Sequence, residues 1–264
     1  MNTKFDLKIF KLIYLFMALI IVISLSPLAF AMKKEANSTT PFAVVELFTS
    51  EGCSSCPPAD VFLRELTQLA HQDQIRLFTL SFHVDYWNYL GWKDPFSAVQ
   101  FSQRQKDYAQ TLKSTSVYTP QMIINGTHAF GGYNRDMAQK HIDNAFKMPS
   151  EVSVDFRIFE RTDQELNIKF TVSPMPEDGL LNIALVERDL SSQVTKGENA
   201  GQLLKHDNVV RFFSSIRLVD HQGQVRVTLP PDLNPKESSV VIYVQDIKTM
   251  RILGAEKKEL RNHF

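Results

Sequence analysis

The sequence predicts an α/β domain followed by an all-β sandwich. Three observations carry that prediction. An apolar run leads into two closely spaced cysteines and then an amphipathic helix, strand-like and helix-like segments alternate through residue 148, and from Glu151 the texture changes to short alternating runs divided by turns. At 264 residues the chain exceeds the usual size of one domain, and 44% hydrophobic with 22% charged residues is ordinary globular composition. The expected division is residues 1–31 as a leader, 42–148 as the α/β domain and 150–264 as the sandwich.

The N-terminus has the grammar of an export signal. Lys4, Lys8 and Lys11 precede an uncharged apolar run over residues 12–25, and Ala29-Phe30-Ala31 supplies a small-residue cleavage site that leaves Met32 first. Extended to Ala31 the run is long enough to stay as an uncleaved membrane anchor. Ser24, Ser26 and the helix-breaking Pro27 favour cleavage. Either way the bulk of the protein is expected outside the cytoplasm, periplasmic or secreted, meeting a membrane only through an uncleaved leader. Beyond residue 31 there are 26 basic and 28 acidic residues, which argues against nucleic acid as a partner. The seven histidines are scattered, with no metal-storing tract.

The chain has two cysteines, Cys53 and Cys56. Two cysteines placed at random in this length fall three apart roughly once in a hundred trials, so the spacing points to a redox motif. A structural staple explains it poorly, because closing a loop of about four residues removes little denatured-state entropy. Residues 43–48 read as a buried strand and 59–70 as a helix with Phe62, Leu66 and Leu69 on one face. Backbone N–H groups at a helix start stabilise a thiolate on the first cysteine, and the second, one turn on, resolves a mixed disulfide. Pro57 and Pro58 follow directly, so the regular helix is expected to open near Pro58, and Glu51 opposes the thiolate if it points inward. Pro57 also stands where a c-type haem motif needs histidine, and no cofactor is implied.

Residues 75–84 read as a second buried strand, and Asp94-Pro95 as the N-cap and first residue of a helix to Leu112. A hairpin follows, with Pro120 opening an apolar strand, Asn125-Gly126 at the turn and a short return strand through Phe130. Residues 134–146 close this part as a helix. Residues 83–92 leave the second strand at the sheet edge that carries the cysteines, so Asp85, Tyr86, Trp87 and Trp92 are expected to rim the site, unless the aromatics simply cover the core edge. His83 and Asp85 are the two candidates for proton transfer to Cys56, with a hydrogen-bonded core histidine as the plainer reading of His83.

In the second half, alternating runs at 152–158, 166–172, 181–185, 225–229 and 240–244, separated by turn signals such as Asp178-Gly179 and Pro230-Pro231, read as an immunoglobulin-like sandwich of about seven strands. Residues 196–206 break the alternation and read as a long loop, from which Glu198 and Asn199 are expected to reach the cysteines or a partner, or else to pin the loop to its own sandwich.

The order strand, helix, strand, helix, strand, strand, helix around a CxxC resembles the thioredoxin superfamily over residues 42–148. That resemblance implies that Thr119-Pro120 is a cis-proline loop facing the cysteines and contacting substrate. More narrowly, residues 46–60, Phe82-His83-Val84-Asp85-Tyr86-Trp87, Leu90-Gly91-Trp92, Tyr118-Thr119-Pro120-Gln121, Gly197-Glu198-Asn199-Ala200-Gly201, His206 and Asn208-Val209-Val210-Arg211 are similar to a family of secreted thioredoxin-like proteins classed as a domain of unknown function.

The function read from this is thiol–disulfide exchange. Cys53 attacks, Cys56 resolves, and Thr119, Pro120, Trp87 and Tyr86 hold the substrate, a protein or small thiol or disulfide; a separate redox partner is implied. Two alternatives stay open: a partner-binding module with a permanent disulfide, and a soft-metal site in which both thiolates and His83 hold Cu(I). Asn37-Ser38-Thr39 and Asn125-Gly126-Thr127 match glycosylation acceptors.

Overall fold

The computed structural model describes residues 40–263; the leader and the Asn37 acceptor lie outside them. β1 (Ala43–Thr49) and β2 (Leu77–His83) pair in parallel, with Ala43 opposite Leu77 and Thr49 opposite His83. Both are buried along their whole length, as their near-continuous apolar sequences require of strands covered on both faces. Between them runs α1 (Pro57–Gln72), which buries Phe62, Leu63, Leu66 and Ala70 on the sheet. Leu69, expected on that face, is 44% exposed, because the stripe at spacings of three and four passes through Leu63 instead.

α2 (Val99–Thr111) begins four residues later than the Asp94-Pro95 reading. Asp94 does not cap it: one carboxylate oxygen is taken by His83 and the Glu51 N–H, and the other closes a local turn on the Phe96 N–H. β3 (Gln121–Ile124) joins β1 antiparallel and forms a hairpin with β4 (His128–Gly131); α3 (Arg135–Ala145) follows, its first turn capped by the Asn134 side chain on the Met137 N–H. The hairpin turns at Asn125 (φ 45°) and Gly126 (φ 72°) as the Asn-Gly signal predicts. A β-carbon on Gly126 would lie 1.9 Å from the Met250 carbonyl oxygen. Gly126→Ala is therefore expected to cost about 1–3 kcal/mol in urea unfolding, whereas an exposed alanine substitution elsewhere stays within about 0.5 kcal/mol.

The second half contains β5 (Ser153–Arg161), β6 (Glu165–Ser173), β7 (Gly179–Glu187), β8 (Leu190–Gln193), β9 (Leu203–His206), β10 (Val209–Arg217), β11 (Gln222–Thr228), β12 (Ser238–Asp246) and β13 (Ile252–Glu259). The expected loop at 196–206 is shorter, since Leu203–His206 pairs with β8 as a hairpin. β11, β6 and β5 form one small sheet. The other large strands do not form a sheet of their own. They continue the first, in the order β13-β12-β7-β10-β2-β1-β3-β4, joined where Val209 meets Ser81 and the Ser81 N–H donates to Asn208 O.

The division into domains at residues 148–150 thus falls inside one eight-stranded α/β sheet, and the described residues cluster as a single compact unit. The physical reason is visible in β7 and β12. Their Leu181, Ile183, Leu185, Val240, Ile242 and Val244 pack against Val154, Phe156, Leu166, Ile168 and Val172 of the small sheet. Their other face, with Ala184, Val186, Val241 and Tyr243, packs with Phe48, Phe82, Phe101 and Tyr108 of the first half. An alternating pattern reveals only one buried face; these strands have two.

Candidate functional site

Cys53 lies in the loop after β1, and Cys56 is the N-cap residue of α1, with φ −78° and ψ −38°. The two are joined as a disulfide, with 5.5 Å between α-carbons. Pro57 and Pro58 have no N–H, and those of Ala59 and Asp60 both donate to Cys56 O, so the donors expected to stabilise a Cys53 thiolate are absent or already engaged. Cys53 Sγ lies 3.8 Å from Thr119 O and 3.3 Å from Ser55 Oγ.

The Thr119–Pro120 peptide is cis. Gly132 lets it approach α1, since a β-carbon there would lie 3.1 Å from both Pro120 and Ala59 side chains and 2.8 Å from Leu47. Trp87 Nε1 donates to Thr119 Oγ1 at 2.7 Å, and Gly52 packs directly under the Trp87 β-carbon. Tyr86 sits one step back. Its hydroxyl donates to Gln105 Oε1, and Gln105 Nε2 donates to Tyr118 O and Gln121 Oε1. Burial pushes the Tyr86 phenol up to about 12, against the opposing pull of its hydrogen bonds. Of the predicted substrate residues, Thr119, Pro120 and Trp87 therefore gather around the disulfide, while Tyr86 supports the loop that carries Thr119.

The two proton-transfer candidates have other partners. Asp85 accepts from Ser102 Oγ at 2.5 Å and donates its N–H to the same hydroxyl. His83 is fully buried, with Nδ1 2.7 Å from Asp94 and its ring edge-to-face with His206 at 4.8 Å. Burial alone would lower its pKa, but the Asp94 carboxylate prevails and the net shift is upward. Asp94 is held below the ordinary carboxylate range, His83 outweighing its own burial. Since His83 titrates higher folded than unfolded, the pair's stabilisation is complete below about 6.5 and is lost as pH rises through the folded value. On the acid side it is lost as pH falls through the depressed value of Asp94. Subtracting the urea stability of His83→Gln from that of the wild type across pH is expected to show a contribution greatest between about 4 and 6.5 that declines on both sides.

Glu51, Trp92, Asp60 and His206 complete the floor of the site. Glu51 does point inward: Trp92 Nε1 donates to one of its oxygens at 2.7 Å and His206 Nε2 lies 3.1 Å from the other. Asp60 is buried beside His206 and His83; burial raises its pKa against the pull of both imidazoles. Asp60 Oδ1, His83 Nε2 and His206 Nδ1 have no hydrogen-bond partner among the described residues. The signals were in the sequence, since Asp60 and His206 belong to the quoted motifs, but His206 lies 123 to 155 positions from His83, Asp60 and Glu51 and meets them only through the sheet connection between the halves.

Glu198 and Asn199 reach the cysteines as expected. Asn199 Nδ2 donates to Glu51 O at 2.8 Å and Cys53 O at 3.0 Å, and the Ser54 N–H donates to Glu198 Oε2 at 3.0 Å. Among the described residues, no group of three His, Cys, Asp or Glu side chains is placed to hold a metal ion, and no helix is long and apolar enough to cross a membrane.

A search of curated proteins finds no match. Among solved structures, a protein from Agrobacterium tumefaciens is similar over 85% of this chain and 95% of its own, at 30% identity and a TM-score of 0.60. A domain of the outer membrane lipoprotein Omp28 from Porphyromonas gingivalis matches 42% of this chain and 88% of its own at 10% identity, with a TM-score of 0.27 that carries no argument. A family model described as "Protein of unknown function (DUF1223)" matches residues 44–245, which include the cysteines, the Thr119–Pro120 loop and the Glu198–Asn199 turn, and the chain belongs to that family.

Proposed function

We propose that this protein is an exported thiol–disulfide oxidoreductase whose first half is thioredoxin-like and whose second half is an immunoglobulin-like sandwich built onto the same sheet. The observation that carries the reading is the Cys53–Cys56 pair at the carboxyl end of β1 with Cys53 Sγ set against the Thr119 carbonyl. A substrate thiolate attacks Cys53 Sγ, Cys56 leaves, and a second substrate thiol releases the substrate as a disulfide with both cysteines reduced; in the reverse direction the Cys53 thiolate attacks a substrate disulfide and Cys56 resolves the mixed disulfide. The substrate is a protein or small thiol or disulfide, renewed by a separate redox partner outside the cytoplasm.

One observation favours a second reading. Cys53 is 1% and Cys56 0% exposed, as in a permanent disulfide of a partner-binding module. The soft-metal reading has least support, because His83 is engaged by Asp94 and the sulfurs by each other. Redox titration in glutathione buffers with thiol trapping decides between the first two. A reversible potential within the span of about −270 to −120 mV supports exchange, and a pair that stays oxidised below about −300 mV supports the permanent disulfide.

A further inference from the structure

The turn between β8 and β9, residues 194–202, crosses the paired cysteines. It holds their loop by the bonds from Asn199 to Glu51 O and Cys53 O and from the Ser54 N–H and hydroxyl to Glu198. Asn199 is the one buried residue between 195 and 202. Gly197 (φ 77°) and Gly201 (φ 86°) bracket the segment; Gly197 lies over Trp92 and the Leu90 carbonyl, and a β-carbon on Gly201 would meet nothing within 4 Å. Ser54 and Ser55 are exposed, yet Cys53 between Gly52 and Ser54 is 1% exposed. A thiolate must reach a sulfur directly to exchange with it. Held this way, Cys53 offers an incoming thiol no line of approach.

We propose that this strap is the specificity element of the redox pair: it shuts small thiols away from Cys53 and yields to a polypeptide that brings its own hydrogen-bond acceptor to the Ser54 N–H. The inference rests on the exchange reading above. Once the strap lifts, the polypeptide's thiolate attacks Cys53 Sγ, a new S–S bond forms, the Cys53–Cys56 bond breaks, and Cys56 leaves with the electron pair and takes a proton from water. A polypeptide carbonyl fits the vacated N–H because it replaces the Glu198 carboxylate without introducing charge.

The test compares rates of disulfide reduction by dithiothreitol, an uncharged probe, in the full chain and in Glu198→Ala and Glu198→Gln. Glu198 is exposed, so neither change disturbs the core. Loss of a charge-assisted bond is expected to make Glu198→Ala react about tenfold faster. Glu198→Gln, whose amide oxygen still accepts, is expected to stay within about threefold of wild type. With a reduced, unfolded two-cysteine polypeptide as reductant, Glu198→Ala is expected to gain no more than about twofold, because binding energy away from the sulfur already lifts the strap. An alanine variant no faster than wild type, a glutamine variant as fast as alanine, or equal gains with both reductants would each overturn the proposal. Failure of the exchange reading is seen elsewhere, in the wild-type glutathione equilibrium, while the strap is read from ratios of rates.

Discussion

Arg104→Met is expected to lower the unfolding free energy by about 3–5 kcal/mol, the cost of leaving a buried charge without its partner. Arg104 projects from α2 and is buried; its Nε donates to Glu46 Oε1 at 2.8 Å, and Glu46 is fully buried on β1. The hydroxyls of Tyr108 and Tyr243 also donate to Glu46, and Arg104 reaches Gln245 at 3.2 Å. The rings of Phe82, Tyr108, Phe213 and Tyr243 stand 5.0–5.6 Å from the guanidinium. Burial opposes the charge on Arg104, but Glu46 prevails and the guanidinium stays protonated beyond its ordinary range. Burial drives the Tyr108 and Tyr243 phenols well above theirs, so both remain donors.

The single variant leaves the buried Glu46 carboxylate without its cation. Arg104→Met with Glu46→Gln is expected to recover most of the loss, because no unpaired charge remains. Urea unfolding of both variants at neutral pH tests this. A single-variant loss under about 1 kcal/mol at neutral pH would mean that the cluster does not tie the two halves together.

Cys56→Ser is expected to abolish turnover and to accumulate Cys53 in mixed disulfides, while Cys53→Ser abolishes both turnover and capture. The reason is the division of labour across one turn of chain: Cys53 faces Thr119, and Cys56 is fully buried at the start of α1. With serine at 56 the mixed disulfide has no internal thiol to release it. Non-reducing electrophoresis and mass spectrometry of the purified variant read the adduct directly. Neither substitution is expected to approach the roughly 3 kcal/mol associated with a fifteen-residue disulfide loop. A loss of that size without any adduct would point to a permanent staple.

The elements around the cysteines were legible in the sequence where local chemistry decides them. The apolar run at 43–48, the Asn125-Gly126 turn and the Asn134 cap each express a rule that operates within a few residues. Asp94 shows where that fails. Followed by proline it has the local features of a helix cap, but a buried histidine eleven residues earlier binds it more strongly than a helix start would. Likewise nothing local foretells that Glu51 binds both Trp92, 41 positions on, and His206, 155 positions on. The His206 contact depends on the second half joining the sheet where β10 lies beside β2, a pairing that no periodicity encodes.

Synthesis order gives the shared strands a further meaning. β1, β2 and α2 leave the ribosome early, yet the apolar face made by Phe48, Phe82 and Tyr108 is completed by Val241, Tyr243, Ile252 and Ala255, which are made long after them. The nascent first half must therefore wait, open along that face, until β12 and β13 follow. It carries both cysteines for the whole of that interval.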